Sequence, residues 1–153
     1  MEGIFIFLYM ELTEIFLSYK NKNSKSVQLT NSDDVYKFIL NHWDDNTLDA
    51  QENVKMILMN ASNQVIGVYD MSKGGITATV VDIRLVLSVA LKCLATNVIL
   101  VHNHPSGSTN PSEQDKELTK KFQSACKFLE INFLDHLVIS RYDYFSFADN
   151  GYV

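Results

Sequence analysis

An uninterrupted apolar run that ends in two histidines constrains this 153-residue chain more than any other feature. Residues 97–101 contain no charged side chain, which is typical of a short strand buried on both faces of a sheet. His102 and His104 follow at once, and side chains two residues apart on an extended segment point to the same side. The two imidazoles can therefore reach one metal ion at the carboxyl end of the strand, where α/β sheets bind ligands.

A capped helix after a turn-rich loop adds a third ligand. Pro111 and Ser112 mark a helix start, with Ser112 at the N-cap and Asp115 on the first turn. Two imidazoles and one carboxylate leave a fourth position for water, the usual form of catalytic zinc. A Ser-x-x-Asp sequence alone is more often a plain capping box, and His-x-His alone is weak. The prediction of one zinc ion per chain therefore depends on their combined spacing.

Helices interleaved with apolar strands are predicted along the rest of the chain. The predicted strands are 11–20, 53–60, 64–70, 76–81, 97–101, 131–140 and 142–147. Ser32 is predicted to cap one helix and Asp82 a second, and a third helix is predicted over 113–130, whereas 44–50 is predicted to be a loop. This order indicates one mixed α/β domain over 27–153, preceded by an extension at 1–26.

Charge and composition limit the partners. The apolar share of 46% and the charged share of 20% are ordinary for a globular protein. The net charge is −5, and the sequence does not show the clustered Lys and Arg residues of the basic face by which proteins usually bind duplex DNA. Lysines of the segment 113–130 alternate with acidic residues, as on a solvated helix face. DNA is thus a possible but not a favoured partner, and a peptide or protein substrate is expected.

The start of the chain and its cysteines predict a cytoplasmic protein. The apolar run 4–10 has no basic leader and is too short to span a bilayer, so neither a signal peptide nor a membrane anchor is expected. Cys93 and Cys126 show no C-x-x-C spacing and are predicted to be reduced, buried thiols. Met1 and Met10 are both possible starts, and the oligomeric state is left open.

The segment HNHPSGSTNPSEQD resembles the JAMM (MPN) metalloprotease motif, and more closely its RadC-like branch, in which HNHPSG and PS-x-x-D recur. The likeness extends over about 51–151 and includes segments 73–75, 81–84, 134–136 and 146–147. It implies a three-layer, cytidine-deaminase-like α/β fold with a mixed central sheet flanked by helices. It also implies zinc-dependent hydrolysis of a peptide or isopeptide amide bond. The helix-hairpin-helix region of full-length RadC-like proteins is not recognisable before residue 51.

The resemblance also assigns roles to single residues. Glu52, just before an early strand, matches the family's general base, and the hydroxyl of Ser112 would bind the reacting water or the developing oxyanion. Asp135 and His136 are adjacent and cannot both be metal ligands. A structural hydrogen bond is preferred for them over a contact with a ligand imidazole. Asn103 is expected to brace the loop and not to touch the substrate.

Two other functions remain open. One is a RadC-type nuclease or DNA-processing factor, and the other is a binding module that retains the fold without turnover. A base deaminase on the same fold is excluded, because that chemistry requires a C-x-x-C pair that the sequence lacks.

Overall fold

A mixed sheet forms the frame of the residues that the computed structural model describes, which are 26–73 and 81–153. Its five strands are β1 (Asn53–Met59), β2 (Val65–Lys73), β3 (Asn97–Asn103), β4 (Asn132–Ile139) and β5 (Tyr144–Ser146). The four helices of the described part are α1 (Ser32–Leu40), α2 (Asp45–Leu48), α3 (Ile83–Lys92) and α4 (Glu113–Phe128). The strand order is β2-β1-β3-β4-β5, and β3–β4 is its parallel pair. The predicted α/β fold is confirmed.

Apolar side chains alternate between the two faces of the sheet and form two core layers. One layer packs α1 against the sheet, whose members there are Ile57, Met59, Ile99, Val101, Leu137 and Ile139. The other packs α3 and α4 against the opposite face, through Met56, Leu58, Val98 and Leu100. Full burial of each such side chain stabilises the fold by about 1.5–3 kcal/mol. Helices therefore cover both faces, in the three-layer arrangement that the resemblance implied.

Strand β3 lies between β1 and β4, and all seven of its residues are buried. His102 and Asn103 remain paired with Val138 and Ile139, so β3 runs two residues beyond its predicted end at Val101. The strand ladder, and not a loop, thus fixes the backbone of His102.

A β-bulge interrupts the pairing of β3 with β4. Val98 pairs with Phe133 and Ile99 with Asp135, which leaves Leu134 without a partner on β3. Leu134 packs in the α1 layer, and the next residue, Asp135, faces the same side. His136 then returns to the α4 side of the sheet, where its ring meets Thr119 of α4.

Several predicted boundaries differ from the structure. The predicted loop 44–50 contains α2, because the Asp44 side chain accepts a hydrogen bond from the N–H of Asn46 and caps a short helix. Helix α4 ends two residues early, since Glu130 adopts a left-handed φ of 56°. The predicted cap of α3 at Asp82 is confirmed. The predicted cap at Ser32 is wrong, because the side chain of Asn31 accepts the hydrogen bond from the N–H of Asp34 and Ser32 is the first residue of α1. The predicted strand 11–20 and residues 76–80 of another lie outside the described residues, and Val81 is not in a strand.

Within 26–73 and 81–153, every helix is too short or too polar to cross a membrane. Cys126 is buried as predicted, and burial raises the pKa of its thiol to about 12. The prediction of a buried thiol is wrong for Cys93, which is only partly buried. Neither cysteine forms a disulfide. The division of the chain at residue 26 stays a prediction.

Candidate metal centre

Three predicted ligands meet where β3 ends and α4 begins. Nε2 of His102 lies 2.9 Å from Nε2 of His104 and 3.1 Å from Oδ1 of Asp115. Nε2 of His104 lies 3.6 Å from Oδ2 of the same carboxylate. Ligand atoms on a tetrahedral zinc ion with bonds of about 2.0–2.1 Å are about 3.4 Å apart. The observed distances bracket that separation, so the three side chains can hold one metal ion.

A hydrogen bond from Nδ1 of His104 leaves its Nε2 as the nitrogen that can bind a metal ion. Its Nδ1 donates to the carbonyl oxygen of Ser108 at 2.7 Å, which leaves the lone pair of neutral His104 on Nε2. That lone pair points at a carboxylate and at a second imidazole nitrogen. A hydrogen bond to Asp115 raises the pKa of His104, so a proton competes with a metal ion for this position. The donor set fits a cation.

The capping box of α4 directs one oxygen of Asp115 toward the histidines. Ser112 donates to Oδ2 through its backbone N–H at 2.6 Å and through its hydroxyl at 2.7 Å. Oδ1 is then left facing His102. Burial by itself raises the pKa of Asp115, but hydrogen bonds from His102, His104 and Ser112 hold that pKa well below its usual range. The hydroxyl of Ser112 is engaged with Asp115 here, and its action on a substrate stays a prediction.

His136 contacts the outer nitrogen of His102, a contact that the sequence left as the less favoured reading. Nε2 of His136 lies 2.9 Å from Nδ1 of His102, and its own Nδ1 lies 2.7 Å from Oγ1 of Thr119. Burial lowers the pKa of His136 well below its ordinary value. Thr119, four residues after Asp115 on α4, was not singled out from the sequence. Its position one helical turn from a ligand was the available signal.

Asn103 shapes the segment that carries Glu52. Its side-chain amide donates to the carbonyl oxygens of Leu48 and Gln51 at 2.6 and 2.9 Å. Its side-chain oxygen accepts from the backbone N–H of Asn53 at 2.7 Å. Asn103 thus braces backbone, but the prediction named the wrong segment, because these contacts are with 48–53 and not with the loop after β3.

Glu52 is partly buried and lines an open cavity of about 380 Å³ beside the metal site. His104, Pro105 and Ser106 also line this cavity. The negative charge of Glu52 is one of the smaller causes that raise the pKa of His104. The structure therefore brings Glu52 to the site across about fifty residues of sequence.

Comparison with known proteins agrees with this geometry. The model of the family described as the RadC-like JAB domain matches residues 29–152. The chain belongs to this family. A UPF0758 protein of Flavobacterium johnsoniae is 48% identical over 100 residues, which are 65% of this chain and 44% of that protein. A UPF0758 protein of Streptococcus uberis is 36% identical over 132 residues, or 86% of this chain and 57% of that protein. The chain spans about half the length of these relatives.

Asp135 of this RadC-like JAB domain lies away from the metal site, on the α1 side of the sheet. Its carboxylate accepts hydrogen bonds from the hydroxyl of Ser146 at 2.6 Å and from the N–H groups of His136 and Ala148 at 2.7 and 2.8 Å. Burial raises the pKa of Asp135. The expected structural hydrogen bond is thus present for Asp135, and His136 is the member of the pair that reaches a ligand.

Proposed function

We propose that this RadC-like JAB domain is a zinc-dependent hydrolase that cleaves a peptide or isopeptide amide bond. The observation that carries the proposal is the convergence of two imidazole nitrogens and a carboxylate oxygen beside a cavity lined by Glu52. Family membership is compatible with a hydrolase.

Zinc is the metal that this donor set favours. Two nitrogens and one carboxylate oxygen at tetrahedral spacing, with one coordination position left over, are typical of catalytic zinc. When bound, the ion would supply Lewis-acid activation of a water molecule, whose pKa it lowers from about 15.7 toward about 7.

Glu52 and Ser112 provide the remaining chemistry in this proposal. Glu52 takes a proton from the attacking water at its carboxylate and later delivers it to the leaving amine, a role that contributes ~10²–10⁴-fold. Ser112 holds Asp115 through two hydrogen bonds and donates its hydroxyl to the developing oxyanion when that bond rearranges. The cavity walls 50–52 and 104–106 would contact the substrate chain.

The charge of the chain and its thiols support a protein substrate and a cytoplasmic location. A net charge of −5 disfavours the phosphate contacts that DNA binding requires, so a protein substrate is preferred to DNA. The free thiols of Cys93 and Cys126 fit a reducing compartment such as the cytoplasm.

Glu52→Gln tests the proposal, with Glu113→Gln as a matched control on an exposed carboxylate of the first turn of α4. We expect Glu52→Gln to keep one zinc ion and to lose at least about 10²-fold in amide cleavage, since an amide cannot accept the proton. Glu113→Gln should behave like the wild type. Metal content by mass spectrometry and cleavage of quenched peptides and an isopeptide-linked lysine probe are the measurements. Loss of zinc from Glu52→Gln, or cleavage of DNA in place of amides, contradicts the assignment.

A further inference from the structure

The outer nitrogen of His102 has a hydrogen-bond partner whose direction the surrounding atoms determine. A metal can bind Nε2 of His102 only when the ring proton is on Nδ1. Nδ1 faces Nε2 of His136 at 2.9 Å, and two nitrogens share one proton in such a contact. The tautomer of His102 therefore depends on which nitrogen of His136 carries a proton.

The contacts of Thr119 determine which nitrogen of His136 carries the proton. Its hydroxyl lies 2.7 Å from the backbone carbonyl oxygen of Asp115, an atom that can only accept, so Oγ1 donates its proton there. Oγ1 also lies 2.7 Å from Nδ1 of His136 and must be the acceptor in that contact. Neutral His136 is consequently protonated on Nδ1, and its Nε2 accepts.

The proton of His102 then belongs on Nδ1. With the lone pair of His136 directed at it, Nδ1 of His102 is the donor, and the lone pair of His102 is left on Nε2 toward the metal position. We propose that Thr119 and His136 are positioning residues that fix the metal-binding tautomer of His102. This inference rests on the metal site of the proposed function.

The surroundings of His136 limit other arrangements. The residue is wholly buried, and its ring stacks on Phe147 with centroids 4.9 Å apart and an angle of 11° between the planes. Stacking fixes the plane of the ring, so its two nitrogens stay directed at His102 and at Thr119. Its backbone N–H is held by Asp135 on the other side of the sheet.

A series of hydrogen bonds joins two of the proposed metal ligands. The path runs from the carbonyl of Asp115 through Thr119 and His136 to His102, and a bound metal would join His102 to the Asp115 carboxylate. His104 instead donates to the backbone carbonyl of Ser108 and takes no part in this series of hydrogen bonds. The two ligand histidines are therefore oriented by different means, one by a fixed carbonyl and the other by a replaceable threonine hydroxyl.

Thr119→Val and Thr119→Ser separate this role from simple packing. Valine keeps the shape of threonine but removes the hydroxyl, whereas serine keeps the hydroxyl. We expect Thr119→Val to weaken zinc binding about 10–100-fold, as loss of a residue behind a ligand typically does, and Thr119→Ser to restore wild-type affinity. Zinc affinity is measured by competition with a chromogenic chelator. The tautomer of His102 is read from ¹⁵N imidazole shifts of the metal-free protein at about pH 8, above the ordinary histidine pKa.

The wild type and Thr119→Ser should show His102 protonated on Nδ1, and Thr119→Val should show a mixture of tautomers. Equal zinc affinity and an unchanged tautomer in Thr119→Val would overturn the proposal, as would equal losses in the Val and Ser variants. His136→Phe keeps an aromatic ring against Phe147 and should lose zinc affinity at least as strongly, which provides a second test should Thr119→Val fail to fold. A wild type that binds zinc with the expected tautomer but cleaves no amide would refute the proposed function alone.

Discussion

Two buried carboxylates, one on each side of the sheet, differ in what surrounds them. Asp115 on the α4 side is 8% exposed and Asp135 on the α1 side is 6% exposed, so burial penalises the charge of both. Burial prevails for Asp135 and raises its pKa, although three hydrogen bonds oppose it. For Asp115 the imidazoles and Ser112 outweigh burial, and its pKa falls.

The difference shows that a buried carboxylate can have all its hydrogen bonds and still lack a positive charge to balance its own. Asp135 accepts its hydrogen bonds from one hydroxyl and two backbone N–H groups, which are neutral dipoles. Asp115 also receives two such hydrogen bonds, from Ser112 to Oδ2, but Oδ1 faces Nε2 of His102 and Oδ2 lies 3.6 Å from Nε2 of His104, so the carboxylate can share a cation with both imidazoles. We infer that the Asp115 pocket is suited to a metal ion and that the Asp135 pocket serves the fold.

Alanine at the two positions gives the largest expected contrast. Asp115→Ala removes one of three protein ligands and should weaken zinc binding by more than about 100-fold, beyond the cost of losing an outer partner. Asp135→Ala should retain one zinc ion per chain, because its carboxylate does not face the site. Metal content after dialysis against a chelator measures both. Equal zinc content in the two variants would remove the distinction between the pockets.

An effect of intermediate size is expected on the free energy of unfolding, between alanine and asparagine substitutions of Asp135. Asp135→Ala leaves the donors of Ser146, His136 and Ala148 without their acceptor, and it should lower the free energy of unfolding by about 2–4 kcal/mol. Asp135→Asn retains one oxygen for the two N–H groups and should lose less. Urea unfolding with saturating zinc is the measurement. An alanine variant as stable as the asparagine variant would show that these hydrogen bonds do not support the fold.

The smallest expected effect is an opposite pH dependence of stability in the chelator-treated protein. Because the pKa of Asp115 is lowered, its contribution to stability is present above the ordinary value of about 3.9 and is lost as the pH falls below it. Because the pKa of Asp135 is raised, its contribution is present below about 3.9 and is lost as the pH rises through the raised value.

Asp115→Asn and Asp135→Asn isolate these two contributions. Unfolding free energies from about pH 3 to about pH 7 should show the wild type gaining on Asp115→Asn with rising pH and losing relative to Asp135→Asn. The same sign of slope for both differences would contradict the contrast in electrostatics.

The three residues that converge at the candidate metal site could be predicted from the sequence because their signals are local. His102 and His104 are two apart on an apolar strand, and Asp115 follows a cap residue at fixed helical spacing, so short-range geometry brings each to its place. Glu52 has no such signal. Only the resemblance pointed to it, because the pairing of β1 with β3 joins segments about fifty residues apart.

The parts that the sequence left undecided depend on contacts between elements. Because Asp135 and His136 are adjacent, they were predicted to lie on opposite faces of the sheet. Which face each one occupies depends on the bulge in β4, and that bulge arises only when β4 pairs with β3. Thr119 resembles any other helix residue until the sheet places His136 against it. Helix α2 was missed because four residues are too few for periodicity, and only its Asp44 cap indicated it.

The unpaired Leu134 also determines where the chain can change in length. Removing this one residue leaves the pairs Val98–Phe133 and Ile99–Asp135 in place, so His136 would still face α4 in a strand without a bulge. Removing a regularly paired residue between His136 and the end of β4 would shift the remainder of the strand to the opposite face. An engineer who wishes to shorten this region therefore has one position where a deletion is compatible with the metal site.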